Sequence, residues 1–312
     1  MSITASKGRP GWLALFTTWR WALLLAAAAL LWQTQALHLD QRLYQWLRTS
    51  SHAGEWQARS LWLPDYRVRV EARPLAGVTD NLSGLAWDER RDQLWAVVNN
   101  PPELLALSRD GELRGRWPLQ GFVDVEGIAY LGDNLLVLAE ERRGALVVVP
   151  VPDQGGALLR GDYPALTLGL QGTDNSGFEG LGYDRGGDRL FVVKEHSPRK
   201  LYEIRGLRAS LDGRFDVQVI DREAWIRDAV IARDLSSVHF DERSGHLLLL
   251  SDESRLVMEL NGAGQLVSFR SLQGGFAGLE RSVPQAEGMT VDGQGHLYLV
   301  SEPNLFYRLS RD

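Results

Sequence analysis

Gly177-Phe178-Glu179-Gly180-Leu181-Gly182-Tyr183-Asp184 decides the reading of this chain, because the phrase recurs. Asp124-Val125-Glu126-Gly127-Ile128-Ala129-Tyr130 is a second copy, and Asn81-Leu82-Ser83-Gly84-Leu85-Ala86-Trp87-Asp88 a third. Asp234-Leu235-Ser236-Ser237-Val238-His239-Phe240-Asp241 and Ala286-Glu287-Gly288-Met289-Thr290-Val291-Asp292 complete the set. The five copies are anchored at Ser83, Glu126, Glu179, Ser236 and Glu287, separated by 43, 53, 57 and 51 residues. A period of roughly 40–50 residues with several short strands per unit is the signature of a β-propeller.

Each copy opens a first strand, which ends at Asp88, Asp184, Asp241 or Asp292 in four of them, and a tight polar turn such as Arg185-Gly186-Gly187-Asp188 follows. The second strand is apolar throughout, as in Leu135 to Ala139, Leu190 to Val193 and Leu247 to Leu250, which fits a strand buried on both faces. A third strand follows, and turns such as Arg109-Asp110-Gly111 lead into a fourth. The last copy lacks a fourth strand, whereas an alternating stretch, Tyr66 to Ala72, stands unassigned before the first. Placing that strand on the last blade covers both open edges. The reading is an all-β, five-bladed propeller of four-stranded antiparallel blades over residues 66–312.

With 312 residues the chain is long enough for one large domain. It has no cysteine, so neither disulfides nor a thiolate metal site. A net charge of −6 without any basic stripe argues against nucleic acid as a partner. Trp12 to Trp32 is apolar apart from Arg20, and Trp21 to Leu39 is long enough to span a bilayer, which needs about 20 residues. Basic residues precede it, placing the N-terminus in the cytoplasm and the propeller on the exported side of a bacterial-type inner membrane, periplasmic or extracytoplasmic. Thr34-Gln35-Ala36 is a poor cleavage site, so an uncleaved single-pass anchor is expected over residues 1–39. Residues 40–65 read as a juxtamembrane linker, with Leu43, Trp46 and Leu47 on one face of a short helix.

In a propeller, the start of strand one and the end of strand two share one channel mouth. The starts are the five anchors, and the ends read as Asn99, Glu140, Glu195, Asp252 and Glu302. Asn81, Asp124 and Asp234 stand two residues before anchors, with Asp174 and Asn175 in the loop before Glu179. So many carboxylates cannot all stay ionised together: some protonate, or a cation sits among them. Oxygen donors without cysteine or a histidine cluster favour Ca²⁺. In the alternative, each glutamate hydrogen-bonds backbone N–H groups of the next blade and staples the ring. Gly84, Gly127, Gly180 and Gly288 are read as letting the inner strands crowd the axis. His196 beside Glu195, and His239 on an inner strand, are candidate bases.

The phrases Asp124-Val-Glu-Gly-Ile-Ala-Tyr, Asn175-Ser-Gly-Phe-Glu-Gly-Leu-Gly-Tyr-Asp, Asp234-Leu-Ser-Ser-Val and Ala286-Glu-Gly-Met resemble the SdiA-regulated family over about residues 66–312. Similar Glu-Gly phrases occur in lactonase and phytase-like propellers. The family resemblance implies a five-bladed, membrane-anchored propeller with bound Ca²⁺ and no established reaction. The ion carries over to the matching positions Glu126, Glu179 and Glu287, with Asp252 beside them, while Ser83 and Ser236 offer no carboxylate. Asn99, Glu195, His196, Asp234 and Glu302 are then the candidate contacts for a small molecule or protein at the mouth. Two functions follow: a tethered Ca²⁺-binding module that holds a ligand, or a Ca²⁺-dependent hydrolase with Glu195, His196 or Glu302 as base. A phosphate-ester substrate would have only Lys194 and Arg142 nearby.

Overall fold

The computed structural model describes residues 12–37, 39–153, 155–168, 177–196 and 198–311. Two compact units divide at Tyr44 and Gln45. The first carries helix α1 (Trp12–Ala36), and α2 (Leu39–Ser50) runs across the division. Large apolar side chains of α1, among them Trp19, Trp21, Leu25 and Trp32, are exposed. Leu43, Trp46 and Leu47 of α2 are exposed as well, while Gln45 and Thr49 are buried. Among the described residues no helix is long and apolar enough to cross a membrane.

The second unit is a five-bladed propeller of antiparallel blades. Strand β1 (Arg67–Pro74) comes first in sequence and last in architecture. Blade 1 holds β2 (Leu82–Asp88), β3 (Gln93–Val98), β4 (Glu103–Leu107) and β5 (Leu113–Gln120). Blade 2 holds β6 (Val125–Gly132), β7 (Leu135–Glu140) and β8 (Ala145–Pro150). The chain then lays a two-residue strand, β9 (Leu158–Leu159), parallel to β5 before β10 (Ala165–Thr167) completes blade 2. Blade 3 is β11 (Phe178–Asp184), β12 (Arg189–Lys194), β13 (Lys200–Arg205) and β14 (Gln218–Asp221). Blade 4 is β15 (Ser237–Asp241), β16 (His246–Ser251), β17 (Leu256–Leu260) and β18 (Leu266–Ser271). Blade 5 is β19 (Ala286–Val291), β20 (Leu297–Ser301) and β21 (Leu305–Ser310), closed by β1, with Arg67 opposite Ser310 and Pro74 opposite Leu305. Closure by the N-terminal strand is therefore observed, and no blade leaves its last edge to a loop.

The second strands are buried along their length, as the continuous apolar runs required. The aspartates at the ends of first strands tie the following turns: Asp88 accepts from the N–H of Arg90 and Arg91, Asp184 from Gly187, and Asp292 from Gln294 and His296. The inner strands pack in the ring order β2, β6, β11, β15, β19 and back to β2. Their glycines make this possible. A Cβ on Gly84 would overlap the backbone of Glu126 and Ile128, one on Gly127 that of Glu179, one on Gly180 that of Ser237, and one on Gly288 that of Ser83. Blade 4 alone has Ser237 at this position, and its inner strand is the one without a register shift. In the other four blades a β-bulge falls at the anchor: between Leu82 and Leu85, Val125 and Gly127, Phe178 and Leu181, and Ala286 and Gly288. A bulge re-aims the side chain it carries.

Residues 61–65, expected to be linker, belong with Tyr66 to the propeller core. Leu61, Leu63 and Tyr66 are buried with the blade 4 and blade 5 side chains. The buried Glu259 carboxylate accepts from the N–H of Leu61 at 2.9 Å and of Trp62 at 3.1 Å, and the Ser268 hydroxyl from that of Leu63. Arg270, also buried, donates to the carbonyls of Leu63 and Tyr66. The short run Leu61-Trp62-Leu63, ended by Pro64, carries no strand or helix periodicity, which concealed this clasp.

Candidate functional site

The channel mouth at the N-terminal ends of the inner strands is built by the bulges and by a repeated backbone device. Asn81, Asp124 and Gln285 precede their inner strands with φ of 59°, 58° and 33°. That left-handed turn costs Asn and Asp less than most residues. It directs each carbonyl to the mouth loop of the same blade, accepting from the N–H of Asn99, Glu141 and Glu302 respectively. The equivalent loop residues in blades 3 and 4 are Glu195 and Asp252.

This alignment corrects one expected residue. Glu140 does not face the mouth. It is fully buried and its carboxylate is consumed by the Val123 N–H, by Arg143 at 2.7 Å and by Arg160 at 2.7 Å. Its neighbour Glu141 takes the mouth position. The signal was present: Ala139-Glu140-Glu141 aligns with Val193-Lys194-Glu195, Leu250-Ser251-Asp252 and Val300-Ser301-Glu302, with the acid two residues past the last apolar one.

Asp124, Glu126 and Glu141 each offer a carboxylate oxygen, and these oxygens lie within 4.8 Å of one another. This acidic cluster could hold a metal ion. Glu141 also accepts from the Gly177 N–H at 3.0 Å. Glu126 accepts from the Asn99 amide and interacts with the Ser83 hydroxyl, both of blade 1. Asp124 is buried, and Arg142 Nε lies 2.7 Å from its Oδ2, but off the hydrogen-bonding direction, so that oxygen has charge compensation without a hydrogen bond.

The remaining anchors join the same field. Burial, and then the charges of Glu126, Glu141, Glu195 and Glu287, push the Glu179 carboxyl far above the ordinary carboxylate range. Burial and the charges of Asp252, Glu126, Glu302 and Glu195 push Glu287 up to about 9. Glu126 and Glu141 are each raised to about 7, chiefly by burial. Glu195, Asp252 and Glu302 are raised too, burial again leading. Desolvation plus crowded like charges disfavours the ionised forms, as carboxylates sharing a site must. Among the described residues no hydrogen bond to the carboxylate of Glu179 or Glu287 accompanies the burial and like charges that raise them.

Of the residues expected to meet a ligand, Asn99, Glu195 and Glu302 sit at this mouth. His196 stands on its rim, with Nε2 3.1 Å from Glu195 Oε1 and 3.9 Å from Glu253. Asp234 does not contribute. It is fully buried, holds the Ser251 hydroxyl, and accepts from the N–H of Asp252 at 2.9 Å and of Glu253 at 3.1 Å. Its task is to place Asp252, whose own Oδ1 accepts from the Ala286 N–H at 3.0 Å. Asp174 and Asn175 lie outside the described residues. His239 belongs to the opposite end of the channel, in a cavity of about 270 Å³ lined by Trp87, Tyr130, Tyr183 and Thr290. Burial lowers its pKa to about 4, leaving it neutral and remote from the acidic mouth.

A family model described as SdiA-regulated matches residues 58–310. The chain belongs to the SdiA-regulated family. That match begins before β1 and takes in the clasp at residues 61–66. Among solved structures, the chain is similar to one from a nidogen/laminin complex, with 16% identity over 72% of this chain and 73% of that one, at a TM-score of 0.46. It is also similar to streptogramin B lyase, with 10% identity over 81% of this chain and 100% of that one, at a TM-score of 0.44.

Proposed function

We propose that this member of the SdiA-regulated family is a membrane-tethered, exported-side propeller whose acidic mouth binds Ca²⁺ and, beside it, a small-molecule or protein ligand. One observation carries the reading: three carboxylates of blade 2 converge within 4.8 Å, with a buried Asp124 oxygen lacking a hydrogen-bond donor. The donor set fits the ion. It is all oxygen, without thiolate or imidazole, which suits a hard cation such as Ca²⁺. Asp124, Glu126 and Glu141 would hold it, and the bound cation would favour ionisation of Glu179 and Glu287 of blades 3 and 5 in the same field. The bound ion would neutralise the mouth and offer an electrophilic position to an incoming oxygen.

The exposed apolar side chains of α1 and the exposed Leu43, Trp46 and Leu47 of α2 support the tether. Fractionation of C-terminally tagged protein checks it: the full-length chain is expected in the membrane fraction, and a soluble exported form starting near Leu37 overturns it. A second reading, a Ca²⁺-dependent hydrolase, is favoured by the Glu195–His196 contact at the rim, where a base would stand next to the ion. Thermal melting tests the main reading. A ligand bound only by the folded state stabilises it by about 2.7 kcal/mol at a hundredfold excess over Kd. Ca²⁺ added to chelator-treated protein should raise Tm, and Glu126→Gln should blunt the rise. An unchanged parent Tm overturns it.

A further inference from the structure

Beside the acidic cluster, between blades 1 and 2, lies a groove of about 440 Å³ lined by Asn81, Asn99, Asn100, Phe122, Val123 and Arg142, with Asp124 at its inner end. Of the residues lining it, Arg142 alone is basic. Its side chain is 59% exposed, so it is free to rotate, and its guanidinium is parked against Asp124 Oδ2, the oxygen without a hydrogen-bond donor. The amides are partly committed: Asn81 donates to the Asn100 carbonyl at 3.1 Å, and Asn99 to Glu126. Phe122 is buried beneath the groove and Val123 is exposed along it, giving an apolar strip next to a cation.

We infer that Arg142 is a surrogate cation in the metal site, and that a divalent cation displaces it into this groove, where it binds the oxyanion head of a small amphipathic ligand. This rests on the reading of the mouth as a Ca²⁺ site. Two physical steps support it. First, Arg142 and a metal compete for one oxygen, and an ion held by three carboxylates outcompetes one exposed, poorly aligned guanidinium, since exposed ion pairs are weak. Second, without the ion Arg142 is occupied by the Asp124 carboxylate. With it, the local charge falls and a fork of N–H donors becomes available, the geometry that holds carboxylate or phosphate oxygens. The tail of the ligand would lie over Phe122 and Val123. Anion and cation should therefore bind cooperatively, and reciprocally.

The test is calorimetric titration of the full-length, chelator-treated chain in mild detergent with Ca²⁺, alone and with hexanoate or phenyl phosphate present as probes. The carboxylate and the phosphate ester separate the two possible head groups. For the parent, either probe should tighten Ca²⁺ binding by about 5–150-fold, the usual range of such coupling. Neither should bind measurably before Ca²⁺ is added. Arg142→Ala, at an exposed position that leaves the fold intact, should bind Ca²⁺ as tightly as the parent or more tightly and lose the enhancement; Arg142→Lys should retain part of it. If the parent binds Ca²⁺ but neither probe alters the affinity, or if Arg142→Ala keeps the enhancement, the inference fails while the metal site stands. If the parent binds no Ca²⁺, both fail.

Discussion

Glu287→Gln should make the metal-free protein more stable, by an amount set by pH. The Glu287 carboxyl is pushed from 4.5 up to about 9 by burial and by Asp252, Glu126, Glu302 and Glu195. A folded-state pKa above the unfolded value means that the unfolded chain releases this proton first. Stability therefore falls as pH rises between the two values, at ~1.4 kcal/mol per pH unit. Below about pH 4.5 both states are protonated and nothing is lost; near pH 7 the loss reaches at most about 3 kcal/mol. Glutamine keeps the shape and removes the titration, so the variant should gain up to about 3 kcal/mol near pH 7 and close to nothing near pH 4.5. For a domain of this size that is a Tm rise of about 6–12 °C at most. Urea denaturation in chelator-containing buffer at both pH values measures it. If the variant is less stable by the same amount at both, Glu287 holds the ring together and the crowding argument is wrong.

Three further expectations follow from the same geometry. Glu179→Gln should leave metal-free protein as stable as the parent or more so, yet weaken its Ca²⁺-dependent Tm shift; equal loss with and without Ca²⁺ would identify Glu179 as a staple. Gly180→Ala drives a Cβ to 2.6 Å from the Val238 backbone nitrogen, so it should cost about 1–3 kcal/mol by overpacking, read from the urea midpoint. A chain starting after residue 60 keeps Leu61, Leu63, Tyr66 and β1 and should melt cooperatively, whereas one starting at residue 76 loses the clasp and the closing strand and should not fold; a cooperative melt of the shorter chain refutes N-terminal closure.

The repeat made the ring legible. Five anchors spaced for blades, apolar second strands and the spare strand at Tyr66 to Ala72 sufficed, because strand number and edge closure are both properties of pattern. The glycines after the anchors were legible for the same reason: an axis shared by five strands leaves no room for a Cβ. What the pattern hid was parity. Side chains alternate along a strand, so an error of one residue exchanges mouth for interior; Glu140 and Glu141 are adjacent acids with opposite fates. Bulges at the anchors add another residue of uncertainty, and they come from packing between blades that no single strand encodes. Asp234 was misread because burial, which makes it a cap for Asp252 and Glu253, is invisible in its composition. The clasp at residues 61–66 was hidden because Glu259 and Arg270, its partners, lie nearly two hundred residues onward.

The most direct test of the proposed metal site is a crystal structure of the protein grown with Ca²⁺, with anomalous data to place the ion. The account predicts one ion at the mouth with oxygens of Asp124, Glu126 and Glu141 at about 2.3–2.6 Å, and Arg142 turned away from Asp124. A mouth without an ion at saturating Ca²⁺, with Arg142 still against Asp124 and the glutamates sharing protons, would contradict it.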